Sequence, residues 1–142
     1  MKLPFSRNIK NEEDTIEVAA EFSKILQNGE IVTLIGNLGA GKTFFVKHLC
    51  KNFNIHNVSS PSFAIVNEYL GDRKVYHFDF YRLEKLDELY DIGFDEYLAD
   101  SSANILIEWA DLMPDIIPKD IIEIEIREFE NNVRKIEIKR YE

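Results

Sequence analysis

A single cysteine, Cys50, rules out an internal disulfide framework and fits a reducing compartment. On the apolar side of a helical stretch, it reads as packing rather than as a nucleophile. Bases are also scarce: 17 Lys and Arg stand against 26 Asp and Glu, for a net charge of −9. A protein that grips nucleic acid alone needs a basic patch to displace counterions. The nearest candidate is Arg134, Lys135, Lys139 and Arg140 near the C-terminus. These bases are expected to face Glu123, Glu125, Glu128 and Glu130 of the preceding strand, which argues against strong direct binding. No apolar run approaches the ~18 residues of a membrane span. The stretch Met1–Arg7 has no long apolar core of a signal peptide. The expectation is a cytoplasmic protein with no membrane association.

Glycine is sparse too, with six in 142 residues, so its clustering matters. Gly36, Gly39 and Gly41 fall in the run Gly36-Asn37-Leu38-Gly39-Ala40-Gly41-Lys42-Thr43. This matches the phosphate-binding pattern Gly-x-x-x-x-Gly-Lys-[Ser/Thr]. A loop that wraps a phosphate turns backbone N–H groups inward at close approach, which a residue without Cβ permits. Ile31–Ile35 before it is a β-branched, apolar run with the composition of a buried strand. After it, Phe45, Val46, Leu49, Cys50 and Phe53 recur at helical spacing, with Lys47, His48, Lys51 and Asn52 opposite. That helix would add its positive N-terminal end to the site. The pattern predicts that Asn37, Leu38, Gly39, Ala40, Gly41, Lys42 and Thr43 hold a nucleotide. Lys42 would reach the β- and γ-phosphates, and the Thr43 hydroxyl would bind Mg²⁺.

The rest of the chain reads as one α/β domain over residues 1–142. A short edge strand comes first. Asn11-Glu12-Glu13-Asp14 opens a helix that ends at Asn28-Gly29, with Thr15, Val18, Ala19, Phe22, Ile25 and Leu26 as its apolar stripe. Two β-rich runs, Phe63–Leu70 and Lys74–Tyr81, flank a Gly71-Asp72-Arg73 turn and predict an antiparallel hairpin. Leu86–Asp100 carries two short helical patterns broken at Gly93, and Asn104–Trp109 is another buried strand. Ile121–Phe129 and Val133–Tyr141 alternate around Asn131-Asn132 as a second hairpin. The expected architecture is a single P-loop domain: a mixed sheet flanked by helices, with an antiparallel C-terminal hairpin.

A phosphate loop needs an acidic partner for its metal, usually at the end of an apolar strand. Asp79 follows Val75–Phe78, and Glu108 follows Ile105–Ile107. A carboxylate there is costly unless a cation or donor meets it. Both are candidate catalytic and Mg²⁺-binding residues alongside Lys42 and Thr43, and the sequence does not separate their roles. Ser62 sits where nucleotide switches place a hydroxyl that senses the γ-phosphate and the metal. His77 shares a strand face with Asp79 and reads as a hydrogen-bonded structural histidine rather than a titrating group. Arg82 either touches phosphate or a partner, or pairs with Glu84 or Asp87. Trp109 is either core or a neighbour of the nucleotide, and is kept among the nucleotide-binding candidates.

Together, the phosphate loop, Ser60-Pro61-Ser62-Phe63, Val75–Leu83 (with its His77-Phe78-Asp79-Phe80-Tyr81-Arg82 core), Glu88-Leu89 with Gly93, and Ile107-Glu108-Trp109 resemble the TsaE family. That family is the small bacterial ATPase of tRNA threonylcarbamoyladenosine biosynthesis. The likeness spans about residues 10 to 125. It implies an ATPase, with ATP and Mg²⁺ as cofactors, that works with the TsaD and TsaB proteins. Those partners transfer a threonylcarbamoyl group to a tRNA adenosine beside the anticodon. The ATPase would reset the transferase and meet tRNA only indirectly through the complex. Lys42, Thr43, Asp79 and Glu108 match the family's site residues. Two departures stand out. The family usually has Thr where this chain has Ser62, and often continues Glu-Trp-Pro-Glu where Ala110 and Asp111 stand here.

Rival readings are a GTPase-like switch, a small-molecule kinase and a nucleotide-dependent binding module. Against the first, no Asp-x-x-Gly follows Asp79 and no Asn-Lys-x-Asp guanine-reading motif occurs. Against the second, the region after Asp79 is acidic, with Glu84, Asp87, Glu88 and Asp91 rather than an Arg-rich lid. The third predicts binding without turnover even when partners are present.

Overall fold

A computed structural model describes residues 1–59 and 65–142, and of Asn131 the backbone only. Ser62, the Ser60–Phe63 motif and the start of the first predicted hairpin strand lie outside the described residues.

The described residues form one seven-stranded mixed sheet, in the order β1-β7-β6-β2-β5-β4-β3. Its strands are β1 (Phe5–Ile9), β2 (Ile31–Ile35), β3 (Val66–Leu70), β4 (Lys74–Asp79), β5 (Ala103–Glu108), β6 (Ile121–Glu128) and β7 (Arg134–Tyr141). The helices are α1 (Glu12–Ile25), α2 (Lys42–Lys51), α3 (Asp87–Asp91) and α4 (Phe94–Leu98). β2 runs parallel to β5 and β6, and β4 parallel to β5. Both edges are antiparallel: β3 pairs with β4, and β7 joins β6 to β1. The central strands are the most apolar, as expected where both faces are covered, and every residue of β5 is buried.

The two faces carry separate cores. Val32 and Leu34 of β2, Val75 of β4 and Leu106 of β5 pack with Val18, Phe22, Phe45 and Leu49 of α1 and α2. The alternate residues Tyr76, Phe78, Ile105 and Ile107 pack with Leu89 and Phe94 of α3 and α4. Phe78, Phe94 and Tyr97 meet edge to face, with Phe78 5.1 Å from Phe94 and 5.3 Å from Tyr97.

Local signals account for the element ends. The Asn11 side chain accepts from the Asp14 N–H at 2.9 Å, which caps α1. α1 ends at Ile25, earlier than Asn28-Gly29, and Leu26 turns to extended backbone. The Leu26 carbonyl accepts from Arg73, and the buried Asn104 amide donates to the Gln27 and Glu30 carbonyls. These side-chain bonds replace the final turn. β4 stops at Asp79 rather than Tyr81, because the Asp79 carboxylate accepts from the Tyr81 N–H at 2.9 Å. β5 stops at Glu108, and Trp109 adopts φ 60°. No described helix is long and apolar enough to cross a membrane.

The C-terminal hairpin forms, but its charges pair differently from the expectation. Glu123 faces Lys139 and Glu128 faces Arg134, whereas Glu125 faces Glu137. Arg127 offsets that like pair, bonding Glu125 on its own strand and Glu137 at 2.9 Å on the next. Glu130 lies in the connecting 3₁₀ turn, Glu130–Asn132, and not on a strand. Arg134 is also drawn elsewhere, to the phosphate loop.

Candidate functional site

The loop Gly36–Gly41 runs from the end of β2 to the start of α2. Two glycines are required by geometry. A Cβ on Gly36 would sit 2.6 Å from the Ile126 carbonyl oxygen of the neighbouring strand. Gly41, the residue before α2, holds φ +110°, a conformation L side chains rarely adopt. α2 then starts with the unpaired N–H groups of its first turn at the loop.

Lys42 is buried, and its ammonium donates to the Gly36 and Asn37 carbonyls, the latter at 3.0 Å. It lies 4.0 Å from the centre of the Trp109 ring, a cation–π contact. Desolvation pulls its pKa below the ordinary 10.5, against the opposing pull of Glu108, Asp111 and Asp79. Thr43 donates to the Glu108 carboxylate, with its hydroxyl 2.8 Å and 3.0 Å from the two oxygens. Asp79 and Glu108 are register partners at the ends of β4 and β5. Glu108 is 3% exposed, and its Oε2 lies 2.5 Å from Nε2 of the fully buried His77.

These residues open onto a cleft of about 800 Å³, a size usual for small-molecule sites. Leu38, Gly39, Gly41, Lys42, Thr43, Asp79, Glu108 and Trp109 line it; Asn37 and Ala40 do not. Ala40 is buried, and its N–H closes the loop onto the Asn37 carbonyl at 3.0 Å. Trp109 belongs to the cleft as well as to the packing, with the Tyr81 ring tilted against it 4.9 Å away. Arg82 also lines it. Ser62 lies outside the described residues.

Sequence reasoning missed the other wall. Ile9, Lys10, Asn11, Glu12 and Thr15 enter from the end of β1 and the start of α1. Arg134 enters from β7, and its guanidinium donates to the Gly39 carbonyl at 3.2 Å. The basic cluster around it offered a cross-strand explanation. Only the β1–β7 register, which sets Ile9 beside Arg134, brings that residue to the loop.

The donor set suits a hard cation: one hydroxyl and two carboxylates, all oxygen. Among the described residues, no group of three or more His, Cys, Asp or Glu is placed to enclose a metal. A small cation that keeps several waters and shares a substrate's phosphates needs no such cage.

The model of the family described as "Threonylcarbamoyl adenosine biosynthesis protein TsaE" matches residues 9–136. The chain belongs to the TsaE family. Among its curated relatives, the TsaE protein of Aquifex aeolicus is 38% identical over 136 residues, covering 93% of each chain. That of Bacillus subtilis is 38% identical over 128 residues, 89% of this chain and 79% of the relative. That of Rickettsia typhi is 35% identical over 135 residues, 93% of this chain and 92% of the relative. The crystal structure of Bacillus subtilis YdiB superposes with a TM-score of 0.80 at 29% identity, covering all of this chain and 88% of that one. The TsaE family thus places this chain in tRNA threonylcarbamoyladenosine biosynthesis, on a P-loop NTPase-like fold.

Proposed function

We propose that this chain is a Mg²⁺-dependent ATPase that acts on a TsaD–TsaB transferase during threonylcarbamoyladenosine formation. The observation that carries the reading is the meeting of Thr43 with Glu108, and of Asp79 beside it, at the mouth of the phosphate loop. In the hydrolysis, water attacks the γ-phosphorus and the bond to the β–γ bridging oxygen breaks, giving ADP and inorganic phosphate. The loop N–H groups and the N-terminus of α2 hold the phosphates. Lys42 exchanges the Gly36 and Asn37 carbonyls for phosphate oxygens. Its depressed pKa reflects the desolvation that a phosphate's charge would offset. Thr43 and Glu108 hold Mg²⁺, and Asp79 completes its shell or orients the water. Mg²⁺, when bound, neutralises charge on the phosphoryl oxygens. Arg134 adds a cation at Gly39 from within the chain, and the wall of Lys10, Asn11 and Thr15 leaves room for the nucleoside.

The net charge of −9 fits a subunit that leaves tRNA to its partners. The test is phosphate release from ATP and from GTP, by the chain alone and with a TsaD–TsaB pair. ATP-selective release that rises with the pair is the expected result. Release that prefers GTP, or that ignores the pair, overturns the reading.

A further inference from the structure

Beyond the loop and the two acids, the molecule buries a polar relay that the proposed chemistry does not use. It begins at Glu108. His77, 0% exposed, sets Nε2 against Glu108 Oε2 at 2.5 Å and Nδ1 against the Tyr69 hydroxyl at 3.1 Å. The Tyr69 hydroxyl has one hydrogen and lies within reach of two acceptors, His77 Nδ1 and the Ser59 carbonyl 3.0 Å away, while the Ser59 backbone N–H and the Asn67 side-chain amide donate to it at 3.3 Å and 3.4 Å. Parallel pairing of β4 with β5 makes this reach possible. His77 stands beside Leu106, so Glu108 is two residues further along the same face.

A carboxylate this buried must have its oxygens met by donors. Thr43 meets both oxygens, but a hydroxyl has one hydrogen and is itself a candidate cation ligand. Once Thr43 turns to a cation, His77 still holds Oε2. We propose that His77 is a positioning residue: with Nδ1 accepting the hydrogen of the Tyr69 hydroxyl, its Nε2–H pins Oε2 of Glu108 and keeps Oε1 beside Thr43. This rests on the proposed function, which gives Glu108 its task. Removing such an outer partner of a metal ligand typically lowers metal affinity about 10–100-fold.

The test uses the full chain with ADP as nucleotide. Mn²⁺ affinity is read by electron paramagnetic resonance, and the Mg²⁺ concentration for half-response by the emission of Trp109, the only tryptophan. An asparagine amide oxygen reaches roughly the Nδ1 position and can accept from Tyr69, and a glutamine amide nitrogen reaches roughly the Nε2 position. His77→Asn therefore keeps the Tyr69 end and loses the Glu108 donor, whereas His77→Gln keeps the donor. His77→Asn should weaken metal binding about tenfold, leave metal-free ADP affinity within about twofold, and be rescued by His77→Gln. Tyr69→Phe keeps the ring, and should weaken metal binding in the same direction by a smaller factor. Unchanged metal affinity in folded His77→Asn overturns the proposal. So does equal impairment in His77→Gln, which would mark a packing effect. If His77→Asn does not fold, an unshifted Tyr69→Phe overturns it. A parent chain whose ADP response ignores Mg²⁺ overturns the proposed function and this inference together; a metal-dependent parent with an unaffected His77→Asn overturns this inference alone.

Discussion

Strands β4 and β5 present two unlike faces made from alternating residues. Toward α1 and α2 they turn His77, Leu106 and Glu108, and Asp79 stands in the same register. Toward α3 and α4 they turn Tyr76, Phe78, Ile105 and Ile107. One face sets a chain of hydrogen bonds between buried polar groups beside the apolar contacts of Val75 and Leu106, and the other interlocks aromatic rings. A period of two separates chemistry from packing within single strands. The aromatic face sets where the strands lie, and the polar face depends on that placement to the ångström. The small helices α3 and α4 contribute to the site only through that rigid backing.

This contrast predicts that the two faces can be damaged independently. The largest effect belongs to the polar face. Lys42→Ala should reduce ATP-dependent phosphate release by at least ~10²-fold while circular dichroism stays unchanged; a normal rate would remove Lys42 from the site. Asp79→Asn should lose turnover or its Mg²⁺ dependence with the fold intact, and a parental metal titration would take Asp79 out of the cation's shell. On the aromatic face, Phe94→Ala removes a ring 3% exposed and packed on Phe78 and Phe80. It should cost about 3–5 kcal/mol of stability, seen as a lower denaturant midpoint, with nucleotide affinity of the folded fraction retained. Lost affinity at full folding would break the separation.

The α1/α2 core supplies a smaller, pH-dependent effect. Burial pushes the Cys50 thiol from 9.0 up to about 12. Above pH 9 the unfolded thiol gives up its proton while the folded one keeps it, so stability falls as pH climbs towards 12. The loss should be roughly 1 kcal/mol at pH 10, and Cys50→Ala should flatten that part of the slope in denaturant titrations. The smallest effect is a gain. Thr33, on β2, buries a hydroxyl with no hydrogen-bond partner among the described residues. Thr33→Val keeps the shape and should raise stability by about 0.5–1 kcal/mol; a loss would mean that the hydroxyl has a partner in solution.

How much of this was legible depended on the range over which each feature is encoded. The phosphate loop is contiguous, so its strand, turn and helix could be read directly. Asp79 and Glu108 were legible because each ends an apolar run, and the structure sets them side by side. Contacts that need strand neighbours were not legible. The sequence placed His77 on the face of Asp79, but not against Glu108, which requires β4 and β5 to be parallel neighbours. The alternation supplies acids opposite Arg134 and so accounts for it by charge pairing. Its approach to Gly39 follows from the hairpin's turn and from β1 lying beyond it. The same register made Glu125 face Glu137, a like pair that residue types alone would not suggest.

The pairing of β1 with β7 has a consequence for synthesis. β1 leaves the ribosome before its one partner in the described sheet, β7, which begins at Arg134. While the chain is being made, the phosphate loop can fold on β2, β5 and β6 before the wall of Ile9, Asn11 and Arg134 exists. Completion of the cleft therefore waits for β7, and a nascent chain paused before it would carry the loop without that wall.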